Sequence, residues 1–551
     1  MTAESPESPI SKKAAAGAGV LLTLGASQFL MTLDTSVMNV SMATVANDLN
    51  TTVTGLQTAI TLYTLVMATL MITGGKIGSL IGRRRAFAIG CVIYGLGSFV
   101  TGISPNLPTM IIGWSVLEGA GAALIMPAVV ALVAANFPPS ERAKAYGLVA
   151  AAGAIAVAVG PLIGGAATTY LSWRLVFFSE VVVVIGILAL SRRVTDTPRL
   201  ADGHLDLIGT VLSVVGLGTA VYGILRSSEW GWLTPKTGAP SFASLSLTFW
   251  FLIIGIFVVW LFIEWQNHLV AAGKEPLVRP AMFANRQLTG GLLMFTFQFL
   301  LQAGVFFVIP LFLSVVLELS AIQTGIRVMP LSLALLVAAL GVPRLFPTAS
   351  PRRMVQAGIL LMLGGILLLI SGIKIDANAG VVMLPMILIG LGIGSLASQL
   401  GNVAVSAVPT SESGEVGGLQ NTATNLGASI GTALAGSVLI AVLTASLITG
   451  ITNDPNVPES VKQKASVSLS PGVPFISDAQ LEQELNNAGA APAVTNEILS
   501  KNRSARIEGL DSALSVLAII AVISLLFTRR IPEEQPKDDS SVSPAQVSDD
   551  V

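Results

Sequence analysis

Two carboxylic acids in this chain sit where an acid is expensive. Asp34 lies in the stretch FLMTLDTSVMNVS and Glu118 in GWSVLEGAGAALIMP, each deep within an otherwise apolar run. At the usual helical rise Asp34 is about 12 Å, and Glu118 about 15 Å, from the outer end of its run. An ionised group at that depth costs at least about 2.5–3.5 kcal/mol unless it is neutralised or faces water. Desolvation favours the protonated form of a carboxyl group, so an acid in this setting is suited to holding and releasing a proton. No Lys or Arg lies within two helical turns of either residue in sequence. Both are therefore read as candidate proton- or cation-coupling groups. The alternatives are a paired structural acid at Asp34 and a helix–helix hydrogen bond at Glu118. Glu180 opens a later run and reads as a solvated acid near the outer interface. Asn39, Gln298, Gln302, Gln399 and Asn402 are neutral polar groups in apolar runs; each could bond one neighbouring helix, or together they could line a polar path.

The elements that must position these groups are about fourteen apolar runs, from one centred near Phe29 to one near Ala518. Each approaches the roughly 20 residues needed to cross about 30 Å of hydrocarbon. Unpaired backbone groups are not tolerated there, so the runs must be helices. With 53% hydrophobic and 11% charged residues and a mean hydropathy of +0.77, neither a soluble globular domain nor a disordered chain fits. The net charge of -1 says less than its distribution. Lys12 and Lys13, Arg83 to Arg85, Arg142 and Lys144, Arg192 and Arg193, Arg279 and Arg286, Arg352 and Arg353, and Arg529 and Arg530 occupy alternate connections. The positive-inside rule then puts both termini in the cytosol, on a plasma-membrane protein. The thirteenth helix is the exception: its inner approach carries Glu412 and Glu415 and no base.

Other chemistry is sparse. Cys91 is the single cysteine and is expected to pack inside a helix. His204 and His268 lie in or beside connections and offer no metal-site spacing. No Walker A loop or H-E-x-x-H occurs, so no enzyme activity, cofactor or metal is expected. Gly119-Ala-Gly121 and Gly390-Leu-Gly392-Ile-Gly394 lie inside apolar runs with no preceding strand, which points to close helix packing rather than dinucleotide binding. The first run is too long for a cleavable signal and lacks a small-residue cleavage site, so it reads as a mature helix.

Spacing divides the chain into two six-helix bundles plus two inserted helices: an all-α membrane protein with 14 transmembrane helices. A cytosolic tail over 1–16 precedes the first bundle at 17–192. The two-helix insertion spans 204–268 and the second bundle 287–530, followed by a disordered cytosolic tail at 531–551. Within the second bundle, 450–508 is a long extracellular loop between helices 13 and 14, with short helices expected over Ser477–Leu485 and Pro492–Ile507. That loop reads as a disordered connector, a lid or a partner-docking element, and its Asn502-Arg503-Ser504 sequon as chance. Repeated bundles around a central cavity are a transporter architecture. GPLIGG, Gly160 to Gly165, is either a packed kink or a pliable seam between two helices.

These segments resemble the major facilitator superfamily, and within it the fourteen-helix drug:proton antiporter branch. Gly147, Gly160, Pro161, Gly164 and Gly165 match the antiporter motif G-x8-G-x3-G-P-x2-G-G, with Ala156 in place of one glycine. GGKIGSLIGRRRAF resembles the inner-gate loop between helices two and three, with Gly75, Gly82, Arg83 and Arg84 in register. LDTSVMNVS resembles the branch's first-helix motif through Asp34, Thr35 and Asn39. FPPSERAKAYG, SWRLVFF and GGLQNTATNLGASIGTALAG extend the likeness. Two positions depart. The loop's usual Asp is Ser79, so the charge contact that latches the inner gate is expected to be missing. The fourth helix has Ser115, Glu118 and Gly119 where Arg, Gln and Gly are usual, so the coupling site lacks its Arg.

The resemblance implies the major facilitator fold and a proton-coupled antiporter exporting small amphipathic or cationic compounds, of multidrug type. Helices one and four would line the cavity, placing Asp34 and Glu118 on its wall. The expected partners are a small-molecule substrate, protons and the bilayer, with no nucleic acid. One charge crossing about 100 mV is worth about 2.3 kcal/mol, so a monocation exchanged for one proton uses only the pH gradient, whereas two carboxylates would permit voltage-driven export. The rival readings are an exporter of one metabolite, such as a polyamine, amino acid or lipid, and a non-transporting sensor or scaffold.

Overall fold

The computed structural model describes residues 9–51, 53–196, 203–236, 238–409, 412–453, 475–487 and 492–535. It contains fourteen helices long and apolar enough to cross a membrane. In chain order the elements are α1 (Pro9–Asp48), α2 (Val53–Ile81), α3 (Arg83–Gly102), α4 (Leu107–Asn136), α5 (Pro139–Tyr170), α6 (Arg174–Ser191), α7 (Leu207–Trp230), α8 (Leu247–Ala271), α9 (Arg286–Val316), α10 (Ala321–Leu345), α11 (Pro351–Gly372), α12 (Met383–Val405), α13 (Ser413–Thr452), the short α14 (Asp478–Asn487), and α15 (Pro492–Phe527). A two-residue hairpin, Ser241–Phe242 with Leu245–Ser246, caps the α7–α8 connection.

Two bundles result. In the first, α1 packs on α5, α2 and α3 on α4, and α3 on α6; in the second, α9 packs on α13, α10 and α11 on α12, and α15 on α13 and α11. The bundles meet along α5 with α10 and α12, and along α2 and α4 with α13. The inserted pair packs on itself, and α7 lies against both α2 and α13, alongside the junction. Most of α8 faces outward through Ile253, Ile256, Phe257 and Trp260, as a lipid-facing helix requires.

The bundles come closest at the end that carries the basic α2–α3 turn, hereafter the basic face. A Cβ added to Gly418 would lie 2.8 Å from the Met71 carbonyl oxygen, and one added to Gly147 would lie 2.6 Å from that of Ala339. Small residues let helix backbones approach to this distance in a membrane, where packing rather than hydrophobic exclusion drives association. The same reason holds inside the second bundle, where a Cβ on Gly392 would lie 2.5 Å from the Gly358 carbonyl oxygen. At the opposite end, Asp48 of α1 accepts from Trp173 Nε1 at 3.0 Å and pairs with Arg174 at the start of α6. Those two donors hold the Asp48 carboxyl below the usual carboxylate range.

Several boundaries differ from the sequence reading. Helix α1 begins at Pro9, so half of the 1–16 tail is helical. The predicted helix over Pro492–Ile507 is the first four turns of α15, because nothing before Gly509 breaks it and Gly509 itself packs near the Leu439 carbonyl oxygen. The loop at 450–508 is shortened at both ends accordingly. Its described part docks on the second bundle: Asp478 pairs with Arg503 and with the buried Arg506, whose Nη1 also reaches the Ile476 carbonyl oxygen at 2.9 Å. Of the tail, Ile531 is buried and accepts from Arg352 Nε at 2.9 Å, while 536–551 lie outside the described residues, as do 197–202 of the first linker.

Candidate functional site

Asp34 on α1, Glu118 on α4 and Glu180 on α6 converge in the first bundle, with one carboxyl oxygen from each within 4.8 Å of the others. All three side chains are buried. Helix α4 widens into a π-helical stretch over Ile111–Glu118, a feature that tends to mark functional positions. From that stretch Trp114 Nε1 donates to both oxygens of Asp34, at 2.9 Å each. The Thr101 hydroxyl lies 3.2 Å from Glu118 Oε1 and 2.8 Å from the Gly97 carbonyl oxygen, and can donate to only one at a time. Ser98 is shared in the same way between Glu180 Oε2 at 3.0 Å and the Tyr94 carbonyl oxygen at 3.2 Å. Among the described residues, Glu118 Oε2 and Glu180 Oε1 have no hydrogen-bond partner.

Among the described residues no Lys or Arg pairs with any of these acids. Two unit charges at that separation repel by about 3–4 kcal/mol at an effective dielectric of about 20. Three together would therefore repel by about 10 kcal/mol, so the cluster is stable only while it shares protons. The oxygens are close enough together to ligate an ion.

Glu180 is a correction to the sequence reading: it is 1% exposed, not solvated. The signal was available in its spacing. Phe177, Glu180, Val184 and Ile187 recur at helical intervals as the buried stripe of α6, while Val182, Val183 and Ile185 face outward.

A cavity of about 410 Å³ lies between the two bundles. Its wall combines Phe295, Phe299, Phe306, Tyr63, Tyr146 and three methionines with amides and hydroxyls, and includes no charged side chain. Gln298 and Gln302 line it, as a polar path requires, and among the described residues their Oε1 atoms have no partner. Gln399 and Asn402 do not. Gln399 accepts from Gln535 Nε2 at 3.3 Å, and Asn402 Oδ1 accepts from the Ser406 hydroxyl at 3.1 Å. The Asn39 and Pro161 side chains lie outside what is described. Asp34 and Glu118 are not on the cavity wall either, contrary to expectation. The reason is steric: the Tyr63 ring lines the cavity and stacks on Trp114, centroids 5.1 Å apart and planes 7° apart, and Trp114 in turn covers Asp34.

The antiporter-like glycines face two neighbours. A Cβ on Gly160 would meet Ser36 Cβ at 2.5 Å, and one on Gly164 would meet Val37 Cα at 3.1 Å, so this seam joins α5 to α1 beside Asp34. Gly147 faces α10 of the other bundle, and Gly165 has open space. In the inner-gate loop, Gly82 has φ of +100°, a conformation that favours glycine, and makes the sharp turn from α2 to α3. Arg83 is buried behind it, and the Arg84 backbone N–H donates to Asp196 at 3.1 Å. Ser79 donates to the Gly75 carbonyl oxygen, at 3.3 Å.

The charge contact expected to be missing is supplied from another position. Lys76, buried on α2, binds Glu415 of α13 at 2.9 Å and Glu275 of the α8–α9 linker at 3.2 Å, and Arg279 binds Glu412 at 3.1 Å. This also accounts for the acids at the approach to α13, whose bases come from elsewhere in the chain. Removing one partner of a buried pair leaves an uncompensated charge, at a cost of about 3–5 kcal/mol. Lys76→Met should accordingly lower the thermal unfolding midpoint of the purified protein, and adding Glu415→Leu should recover most of the loss. A midpoint unmoved by Lys76→Met would show that the pair does not hold the bundles together.

Residues 24–432 match the family model of the Major Facilitator Superfamily. The chain is 31% identical over 426 residues to a puromycin resistance protein of Streptomyces alboniger, covering 76% of this chain and 81% of that one. It is 27% identical over 529 residues to the tetracenomycin C resistance and export protein of Streptomyces glaucescens, covering 94% and 93%. A multidrug efflux pump of Mycolicibacterium smegmatis is 24% identical over 521 residues, covering 92% and 96%. Among solved structures, the human organic anion transporter MFSD10 superposes with a TM-score of 0.56 at 13% identity, covering 95% of this chain and 100% of that one, a likeness of fold.

Proposed function

This chain belongs to the major facilitator superfamily, and from that premise we propose that it exports small amphipathic compounds, drugs among them, in exchange for protons. The observation that carries the reading is the buried carboxylate cluster, without a paired base among the described residues, separated by Tyr63 and Trp114 from a cavity between two bundles. A scaffold has no use for three buried acids that repel one another. Full-length similarity to resistance and export proteins supports the direction of transport and the cargo class.

Asp34 and Glu118 serve as proton-coupling groups, with the pH gradient as the driving force and no cofactor. The cavity takes the cargo: its volume suits a drug-sized molecule, and its aromatic wall with a few amides suits an amphipathic one. The basic connections support the plasma membrane with both termini in the cytosol. The inter-bundle packing then closes the cytosolic side, and rocking of the bundles about the central cavity opens it. Export of one dedicated metabolite is the second reading, since unpartnered Gln298 and Gln302 could select a particular hydrogen-bonding pattern.

Everted membrane vesicles with an acid interior test both readings. They should accumulate puromycin, tetracenomycin C or ethidium, and nigericin, which collapses the pH gradient, should release the load. Accumulation of several unrelated compounds supports a drug exporter, and accumulation of one with saturation supports the dedicated exporter. No gradient-dependent accumulation across the panel would overturn the proposal.

A further inference from the structure

We propose that the stacked pair Tyr63–Trp114 is the coupling element: cargo resting on Tyr63 holds the Trp114 indole N–H on Asp34, and a proton on Asp34 loosens that stack and releases cargo. This rests on the export reading above and deepens it by naming positioning residues between the two sites.

The geometry leaves few other routes. Among the described residues no charged side chain reaches the cavity wall, so cargo there does not touch the acids directly. Tyr63 belongs to that wall and its hydroxyl is buried, so cargo meets the ring. The ring lies nearly parallel on Trp114, and offset-stacked pairs of this kind resist separation. Trp114 is fully buried, and its only polar atom is shared by both Asp34 oxygens. An indole N–H is a donor only. A bond shared between two oxygens suits a delocalised carboxylate, and a charge-assisted bond is roughly twice as strong as a neutral one. Protonating Asp34 therefore weakens its hold on Trp114, and displacing Trp114 favours protonation of Asp34.

The sign of this linkage is the one that exchange requires. Cargo and proton disfavour one another, and by reciprocity each displaces the other to the same degree. The proton leaving Asp34 passes to water, directly or by way of the neighbouring carboxyls, and no bond other than O–H is made or broken. The titratable groups facing Asp34 are Glu118 from α4, Glu180 from α6, Tyr63 from α2 and Tyr94 from α3. The two glutamic acids can relay a proton released by Asp34, so the proton exchanged belongs to the cluster, while the trigger belongs to Trp114.

Puromycin binding to the purified full-length protein, followed by calorimetry from pH 6 to 8 in two buffers of different ionisation enthalpy, tests the inference. The wild type should bind about tenfold more tightly per pH unit and release about one proton per puromycin. Trp114→Phe keeps a ring on Tyr63 but removes the donor, and its affinity should change less than about twofold across the range. Tyr63→Leu keeps the donor but removes the stack, and should likewise lose the pH dependence. Tyr63→Phe keeps ring and stack and should retain the wild-type pH dependence. A wild-type pH dependence in either Trp114→Phe or Tyr63→Leu overturns the coupling role while leaving proton-driven export intact. Puromycin bound by the wild type without proton release would instead remove the proton-exchange reading itself.

Discussion

Asp34→Asn is expected to abolish pH-gradient-driven accumulation in everted vesicles while leaving the protein folded and inserted. The substitution keeps the size of the side chain and an oxygen that Trp114 Nε1 can bond, so the packing of α1 against α4 survives. It removes the titratable group and lowers the mutual repulsion within the cluster by one member. The thermal unfolding midpoint should therefore hold or rise as transport falls to the level of vesicles lacking the protein. That opposite movement of stability and activity distinguishes a proton site from a structural acid, whose loss would lower both. Glu118→Gln and Glu180→Gln should lie between, changing the number of protons moved more than the expression level. Gradient-driven accumulation by Asp34→Asn equal to that of the wild type would remove the acid from the mechanism.

Gly164→Leu is the second change with a large expected effect. The contact at Gly164 is backbone and Cβ of Val37, three residues along α1 from Asp34, and a branched side chain there must push α5 from α1. Overpacking of this kind costs about 1–3 kcal/mol or more. If this seam within the first bundle flexes as the transporter changes state, the variant should still bind puromycin with near wild-type affinity but exchange it across the membrane at least about tenfold more slowly, a barrier increase of only about 1.4 kcal/mol. Gly165→Leu is the control: a Cβ there meets nothing, so transport should continue. Loss of binding together with expression in Gly164→Leu would mark the glycine as ordinary packing.

Much of the fold was legible because the bilayer leaves few choices. Apolar length alone placed every span, and the depth of Asp34 and Glu118 singled them out without any knowledge of their neighbours. What sequence could not supply was distance between helices. The position of Glu180 near the start of α6 suggests a solvated acid, whereas its helical phase with Phe177 and Val184 puts it in the buried stripe. Lys76 went unnoticed because its partners, Glu415 and Glu275, are hundreds of residues away, and a lone lysine near the end of a helix looks solvated. Gln399 and Asn402 were grouped with Gln298 and Gln302 by residue type, but α12 turns them away from the cavity, toward the segment after α15 and back on their own helix. The expectation that Asp34 would face the cavity failed by one layer, that of Tyr63 and Trp114. Aromatic rings in an apolar run carry no mark that tells a lining residue from a covering one.

The central claim is that movement of cargo and movement of protons are one process carried by the carboxylate cluster. Proteoliposomes of the purified protein, loaded with a pH-sensitive dye and given a puromycin gradient but no pH gradient, test it most directly. Puromycin running down its gradient should drive protons the opposite way, producing a pH change that grows with the gradient and is absent in Asp34→Asn. Puromycin flux with no pH change in the wild type, or an equal pH change in Asp34→Asn, would contradict the account.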